Sequence, residues 1–352
     1  MYLNNEYYNI YKFQVSSLVI LSILSIISNY YFYKNGYNNV LFWSLILKTA
    51  FTIVFLSYYI QYDDKIEGFS YNKGIQTITP NNNLYDSKIV NMHVKTAADP
   101  LSTYSSIYGE VLSLNKLDLN MKSGVRGLVL NVIYDSMNSP VVCSGYLKGN
   151  SFKKTSNSLS FIDVLTHINS TAFTDGKTDP LFLIIKVFNT STENKFGSIA
   201  KGLKEVFDEK LKKNGEYLKY NKDFKFKYAL NKVILCVSNV GINELDNELN
   251  EIMFNDITEF NVNSALGNAV VLSMVSLCLI IPSDNNQTIA NCSIPTDEYF
   301  DYGIQFIAMK YINVTESNMT EDSCVNKYNE KFGAHAFIEK KNINISKRIQ
   351  NI

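Results

Sequence analysis

Gly124–Gly145 reads GVRGLVLNVIYDSMNSPVVCSG, and its pattern is that of two short strands joined by a turn. Leu128, Leu130 and Val132 alternate with a period of two, a polar Asp135–Ser139 follows, and Pro140-Val141-Val142-Cys143 is a second apolar run ending at Ser144-Gly145. Side chains of a strand point alternately to its two faces, so this alternation, closed by a polar turn, predicts strands at 126–133 and 140–144.

Outward from this stretch, strand and helix patterns take turns. Ile89–Val94 is a candidate first strand on the N-terminal side. On the other side Phe161, Val164, Leu165 and Ile168 recur at helical spacing, with Ser158 or Ser160 placed to cap the first turn. Leu181–Val187 reads as an apolar strand, and Phe196, Ile199, Leu203, Val206, Phe207 and Leu211 as the buried stripe of an amphipathic helix. A basic connection at 210–227, part of a lysine-rich run over 201–232, leads to a strand at Lys232–Val237. Such a run is ordinarily a solvated face; contact with a membrane surface is the sharper alternative. Leu277–Ile281, Ile304–Met309 and Ala334–Ile338 complete the set. Alternation of this kind predicts an α/β fold, either a closed barrel or an open doubly wound sheet, and periodicity does not choose between them.

Composition narrows the function classes. The 352 residues carry 33 Lys+Arg and 33 Asp+Glu, so no net charge draws the chain to nucleic acid. Its five cysteines, Cys143, Cys236, Cys278, Cys292 and Cys324, form no C-x-x-C pair and read as reduced thiols. Asparagine is abundant enough to generate N-x-S/T sequons, such as that at Asn169, by chance.

The quoted stretch also resembles the phosphoinositide-specific phospholipase C barrel, whose pattern there runs G-x-R-x-x-E-x-D…P-V-V-x-H-G. The resemblance continues in Phe161-Ile162-Asp163-Val164-Leu165, Ala172-Phe173 and Asp179-Pro180-Leu181, and again in Gly303-Ile304-Gln305-Phe306-Ile307-Ala308-Met309 and Phe332-Gly333-Ala334. Val94-Lys95-Thr96-Ala97 is similar to a V/I-K-T-A segment of phospholipase-C-like proteins of large DNA viruses. The resemblance implies a TIM (β/α)8-type barrel over residues 88–340, with Gly124 and Arg126 in structural roles.

The same resemblance implies a site, and the residues present depart from it. The family uses two histidines for proton transfer and a calcium ion held by Asn, Glu, Asp and Glu. Neutral-pH proton transfer needs a group with a matching pKa, and a hard cation needs oxygen ligands. Ala98 and Ser144 stand at the histidine positions; Asp99, Val129, Asn131 and Lys186 stand at the ligand positions. No catalysis by the family's mechanism and no retained calcium site are therefore expected. Of the chain's three histidines, His93 reads as a packed barrel residue, His167 as partly exposed on a helix, and His335 as lying in the last strand, with no zinc-like spacing.

Upstream, 1–62 reads as a membrane anchor with spans near 14–33 and 40–60. Both have about the 20 residues a crossing helix needs, and both carry flanking aromatics. Lys48 in the second run leaves two forms open, a two-helix hairpin or one span plus an interfacial helix. Residues 63–87 read as a linker and 341–352 as a tail. The reading is a membrane-anchored, catalytically inactive barrel acting as a structural or binding protein. Its expected partners are the lipid bilayer, phosphoinositide head groups and other virion proteins, with no nucleic acid. It would reside in a viral inner membrane, a virion or a host intracellular membrane. A divergent phosphoric diester hydrolase and a non-hydrolytic phosphoinositide-binding module are the alternatives.

Overall fold

A computed structural model describes residues 75–105, 109–148, 151–174, 176–188, 196–219, 222–238, 255–260, 276–281, 296–311 and 324–340, with a few isolated positions elsewhere. The chain divides into two compact units, Met1–Phe69 and Ser70–Ile352.

In the larger unit the strands β1 (Met92–Ala98), β4 (Gly127–Tyr134), β7 (Leu181–Val187), β10 (Val233–Ser238), β11 (Asn255–Phe260), β12 (Leu277–Ile280) and β13 (Phe306–Lys310) pair in parallel in that order. β13 pairs with β1 (Val94 opposite Phe306, Ala98 opposite Lys310), and β1 also pairs with β4 (Ala98 opposite Val129). The sheet thus closes on itself as a barrel, which excludes the open doubly wound alternative.

Its closure differs from the expected (β/α)8 pattern. The last strand, β14 (Phe337–Glu339), runs antiparallel against Met92–Val94. Lys95 N donates to Ala336 O, and Lys95 O accepts from Arg126 N, so β14 occupies the β4 side of β1. β14 thereby fills the gap where β1 and β4 diverge at their N-terminal ends, leaving seven parallel strands to close the ring.

The quoted stretch departs from its expected placement too. β4 is a barrel strand, but β5 (Pro140–Lys148) turns back antiparallel to it, and β6 (Ser151–Ser160) extends the hairpin. The second predicted strand therefore lies outside the barrel. The first strand starts at Met92 rather than Ile89, because Ile89–Asn91 forms a 3-10 turn with Ile89 N donating to Phe224 O.

The barrel interior follows from alternation. Val94, Ala98, Val129, Phe182, Ile184, Ile234, Ile257, Leu279, Phe306 and Ala308 form one buried cluster inside the ring. Phe182 meets Phe306 edge-on at 5.1 Å between ring centroids. Outside lie α2 (Phe161–Thr171), burying Phe161, Val164, Leu165 and Ile168, and α3 (Phe196–Leu211), burying Ile199, Leu203, Phe207 and Leu211. Ser160 Oγ accepts from Asp163 N, as the capping pattern predicts.

Residues 75–87 do not behave as a linker. Gln76 bridges to His335, and Ile78 is buried with its N–H donating to Asp179 Oδ1 at 2.9 Å. Asn83–Asp86 forms a 3-10 turn capped by Asn82 Oδ1. This segment closes the N-terminal end of the barrel.

In Met1–Phe69, a helical stretch ends at Lys34, with Asn35 N and Nδ2 both donating to Tyr31 O and Gly36 at φ 78°. Glycine is favoured there because a left-handed residue leads the chain out of a helix. The predicted spans, 14–33 and 40–60, lie almost wholly outside the described residues, as does the 341–352 tail. Among the described residues, no helix is long and apolar enough to cross a membrane.

Candidate functional site

In a parallel barrel, the interior side chains at the strand C-termini line the mouth. Asn131 lies two residues beyond inward-facing Val129, Lys186 two beyond Ile184, Glu259 two beyond Ile257 and Lys310 two beyond Ala308. Alternation therefore aims all four into the mouth. Asn131 and Lys186 are direct cross-strand partners, as are Ala98 and Lys310.

Asp99 reaches this ring through its backbone. It follows the last residue of β1 at φ 49°, a left-handed conformation that Asp tolerates better than most residues. Ser102 N donates to its carbonyl, and Asn120 of α1 (Leu114–Lys122) holds Pro100 O at 2.6 Å. The turn folds the carboxylate over the interior, where Oδ1 accepts from Asn131 Nδ2 at 2.5 Å and Oδ2 pairs with Lys310 Nζ at 3.2 Å. Across the mouth, Lys186 Nζ pairs with Glu259 Oε1 at 2.6 Å. Burial pushes the Asp99 carboxyl above the usual carboxylate range, with Lys310 opposing and Glu110 reinforcing that shift. Burial works against the Lys310 ammonium, but Asp99 and Glu110 together hold its pKa above the ordinary lysine value.

A second network closes the flank. Ser144 Oγ is hydrogen-bonded to Ser102 Oγ, whose hydroxyl also bonds Glu110 Oε1 at 2.9 Å, and Thr155 Oγ1 donates to Glu110 Oε2. This ties the hairpin of β2 (Ser102–Ser105) and β3 (Gly109–Leu112) to β5–β6. Ser144 N is held by Ser156 Oγ at 2.8 Å. The space between Asp99, Leu101, Val129, Asn131, Val142 and Ser144 has no room for a water molecule.

The six positions named from the sequence therefore converge on one place, where the polar ones among them bond to one another and to their neighbours. Ala98 and Val129 are buried core residues, 2% and 1% exposed. The four side chains that complete the networks, Ser102, Glu110, Glu259 and Lys310, were not singled out from the sequence. Lys310 directly follows the Gly303–Met309 motif and was within reach; the other three lie in strands with too few apolar residues to show.

The calcium ion that the resemblance implies does not fit these residues. Val129 offers no donor, the Lys186 ammonium stands in the set, and both Asp99 oxygens are engaged by Asn131 and Lys310. The histidines are elsewhere. His93 Nδ1 bonds Ile304 O at 2.7 Å, burial pushing its pKa down to about 3. His167 pairs with Asp118, and His335 bridges to Gln76 at the opposite end of the barrel.

Arg126 is 1% exposed and donates through Nη1 to Ala172 O at 2.6 Å, tying the end of α2 to the barrel floor. Gly124 has φ 91°, and a Cβ there would meet Ile75 Cδ1 at 2.8 Å. Asn169 is used internally, donating to Val206 O and accepting from Lys210 Nζ.

No protein-family model matches the sequence, and no curated protein does. Solved structures do match. PLC21 of L. pealei is 14% identical with a TM-score of 0.55, covering 77% of this chain and 40% of its own. PLC21 of S. officinalis is 13% identical with a TM-score of 0.55, covering 75% of this chain and 38% of its own. A calcium-dependent phosphoinositol-specific phospholipase C from Pseudomonas sp. aligns at 10% identity and a TM-score of 0.44, over 66% of this chain and 92% of its own. The chain thus spans about 40% of the length of the PLC21 structures. At these identities the likeness is one of fold: a mixed α/β barrel of the phospholipase C type.

Proposed function

We propose that this chain is a membrane-anchored phospholipase C-like barrel that does not hydrolyse phosphodiesters and serves as a structural or binding protein. The observation that carries this reading is the internal pairing at the mouth. A phosphodiesterase of the family's kind needs a proton-transfer pair and an open oxygen-lined cation site, whereas here Asp99 is engaged by Asn131 and Lys310, and Lys186 by Glu259 Oε1. Ser144, at the second histidine's position, is bonded to another hydroxyl rather than to a base. The two apolar runs support the anchor, as does the strong exposure of Tyr30, Tyr31, Tyr33 and Trp43, aromatic types that favour membrane interfaces. The V-K-T-A segment supports a place among the proteins of large DNA viruses, in a virion or a viral inner membrane.

The test is turnover by the full chain on phosphatidylinositol vesicles, with calcium and with chelator. No release of inositol phosphate above a vesicle blank is expected. Calcium-dependent release that disappears in Asp99→Ala would overturn the proposal in favour of a divergent hydrolase.

A further inference from the structure

We propose that the end of the barrel opposite the mouth binds an anionic membrane surface through Lys213, Lys219, Lys222 and Lys225, grouped with Tyr228. The chain is neutral overall, yet residues 210–232 hold eight lysines (210, 212, 213, 219, 222, 225, 227 and 232) against two acids, Glu216 and Asp223. The fold gathers this excess at one end. The segment runs from the C-terminus of α3 through the short strands β8 (Lys212–Lys213) and β9 (Glu216–Tyr217) to the N-terminus of β10, and it bonds to the chain entering β1. Ile89 N donates to Phe224 O, Phe226 N donates to Ser87 O, and Lys88 bridges to Lys225.

Internal pairing consumes only part of the charge. Lys227 pairs with Asp86 and Lys88 with Asp223. Lys212 pairs with Asp208, and Lys232 bonds Glu209 O. Lys213 and Lys225 are partly exposed and Lys219 and Lys222 lie on the surface; Lys213 stands across from Glu216, and Lys225 and Lys222 act on Asp86 and Asp223, carboxylates already paired with Lys227 and Lys88. Phe226 is buried and fixes the segment on the barrel floor, whereas Tyr228 stands 41% exposed with the Lys213 ammonium 3.7 Å above its ring. An exposed tyrosine ringed by lysines suits a bilayer interface, where the phenol sits at headgroup depth and each lysine near an anionic surface gains about fivefold in binding.

The experiment is hydrogen exchange of residues 212–228 in the full chain, mixed with preformed nanodiscs of phosphatidylcholine with and without phosphatidylserine. Slower exchange is expected only with phosphatidylserine, reversed by high salt and lost in a Lys213→Gln/Lys219→Gln/Lys222→Gln/Lys225→Gln variant whose melting temperature is unchanged. Equal exchange in both discs, or protection that survives the substitutions, would overturn the proposal. Protection by added single-stranded RNA but not by phosphatidylserine would overturn it in favour of nucleic acid. Alkaline carbonate extraction of the same chain from vesicles reads the anchor separately, so either reading can fail without the other.

Discussion

Lys186 occupies a position where the resemblance leads one to expect a carboxylate, and its neighbours accommodate the change. Its side chain is 8% exposed and that of its partner Glu259 20%. Breaking a buried pair leaves an uncompensated charge at a cost of about 3–5 kcal/mol, whereas replacing both members with apolar groups is often neutral. Lys186→Met should therefore lower stability in urea by several kcal/mol, and Lys186→Met/Glu259→Leu should recover most of the loss. Additive losses would mean that the pair is not coupled. His93 gives a second prediction. Its folded-state pKa lies near 3 against an ordinary value of 6.5, because burial disfavours the imidazolium. The unfolded chain thus binds a proton that the folded chain does not throughout that window. The stability held above about pH 6.5 falls by up to about 1.4 kcal/mol per pH unit as the pH drops toward 3. His93→Asn, which keeps a donor for Ile304 O, should flatten the acid limb of the stability profile relative to the parent.

Among the elements, the junction of β1 and β4 leaves no room for a side chain at Gly127. A Cβ at Gly127 would press on the Thr96 side chain, 2.8 Å from Cγ2 and 3.0 Å from Cβ. Overpacking of this kind costs about 1–3 kcal/mol, so Gly127→Ala should lower the denaturation midpoint and Thr96→Ala should restore part of it. β4 and β7 were plain in the sequence because strands buried on both faces are apolar throughout. β11 was not. Its interior face carries Asn255, Ile257 and Glu259, so only one of its three inward positions is apolar. The β2–β3 hairpin was hidden for the same reason, and it brings Glu110. Ser102, Glu110 and Glu259 thus come to the mouth networks from elements that apolar periodicity cannot reveal.

For the molecule as a whole, the N-terminal boundary of the barrel matters most. Ile78 is buried, its N–H donates to Oδ1 of Asp179 a hundred-odd positions away, and Gln76 pairs with His335. Asp179 is itself buried beside Arg126, burial raising its pKa while the Ile78 N–H and Arg126 pull it down. Removing residues 1–69 should leave a chain that unfolds cooperatively. Removing 1–87 should strip the floor, expose the Phe226 and Phe337 contact, and yield an aggregating product or a broad, weakly cooperative melt. Equal melting of the two truncations would show that the 75–87 segment contributes nothing to the fold.

Local pattern alone determined the strands and helices with strong apolar periodicity and the α/β class. Those are properties of single side chains or of short windows. Tertiary structure decided the rest. It closed seven strands into a ring and set β14 antiparallel in the gap between β1 and β4. It turned β5 out of the barrel and brought Glu110, Glu259 and Lys310 to the six positions that the resemblance singles out. Hydrogen bonds and ion pairs between residues tens to hundreds of positions apart make those choices, and their energy depends on distances that no window of sequence contains. Gly124–Gly145 spells strands in either case; only its neighbours in space say which side chains meet Asn131 and Ser144 at the mouth.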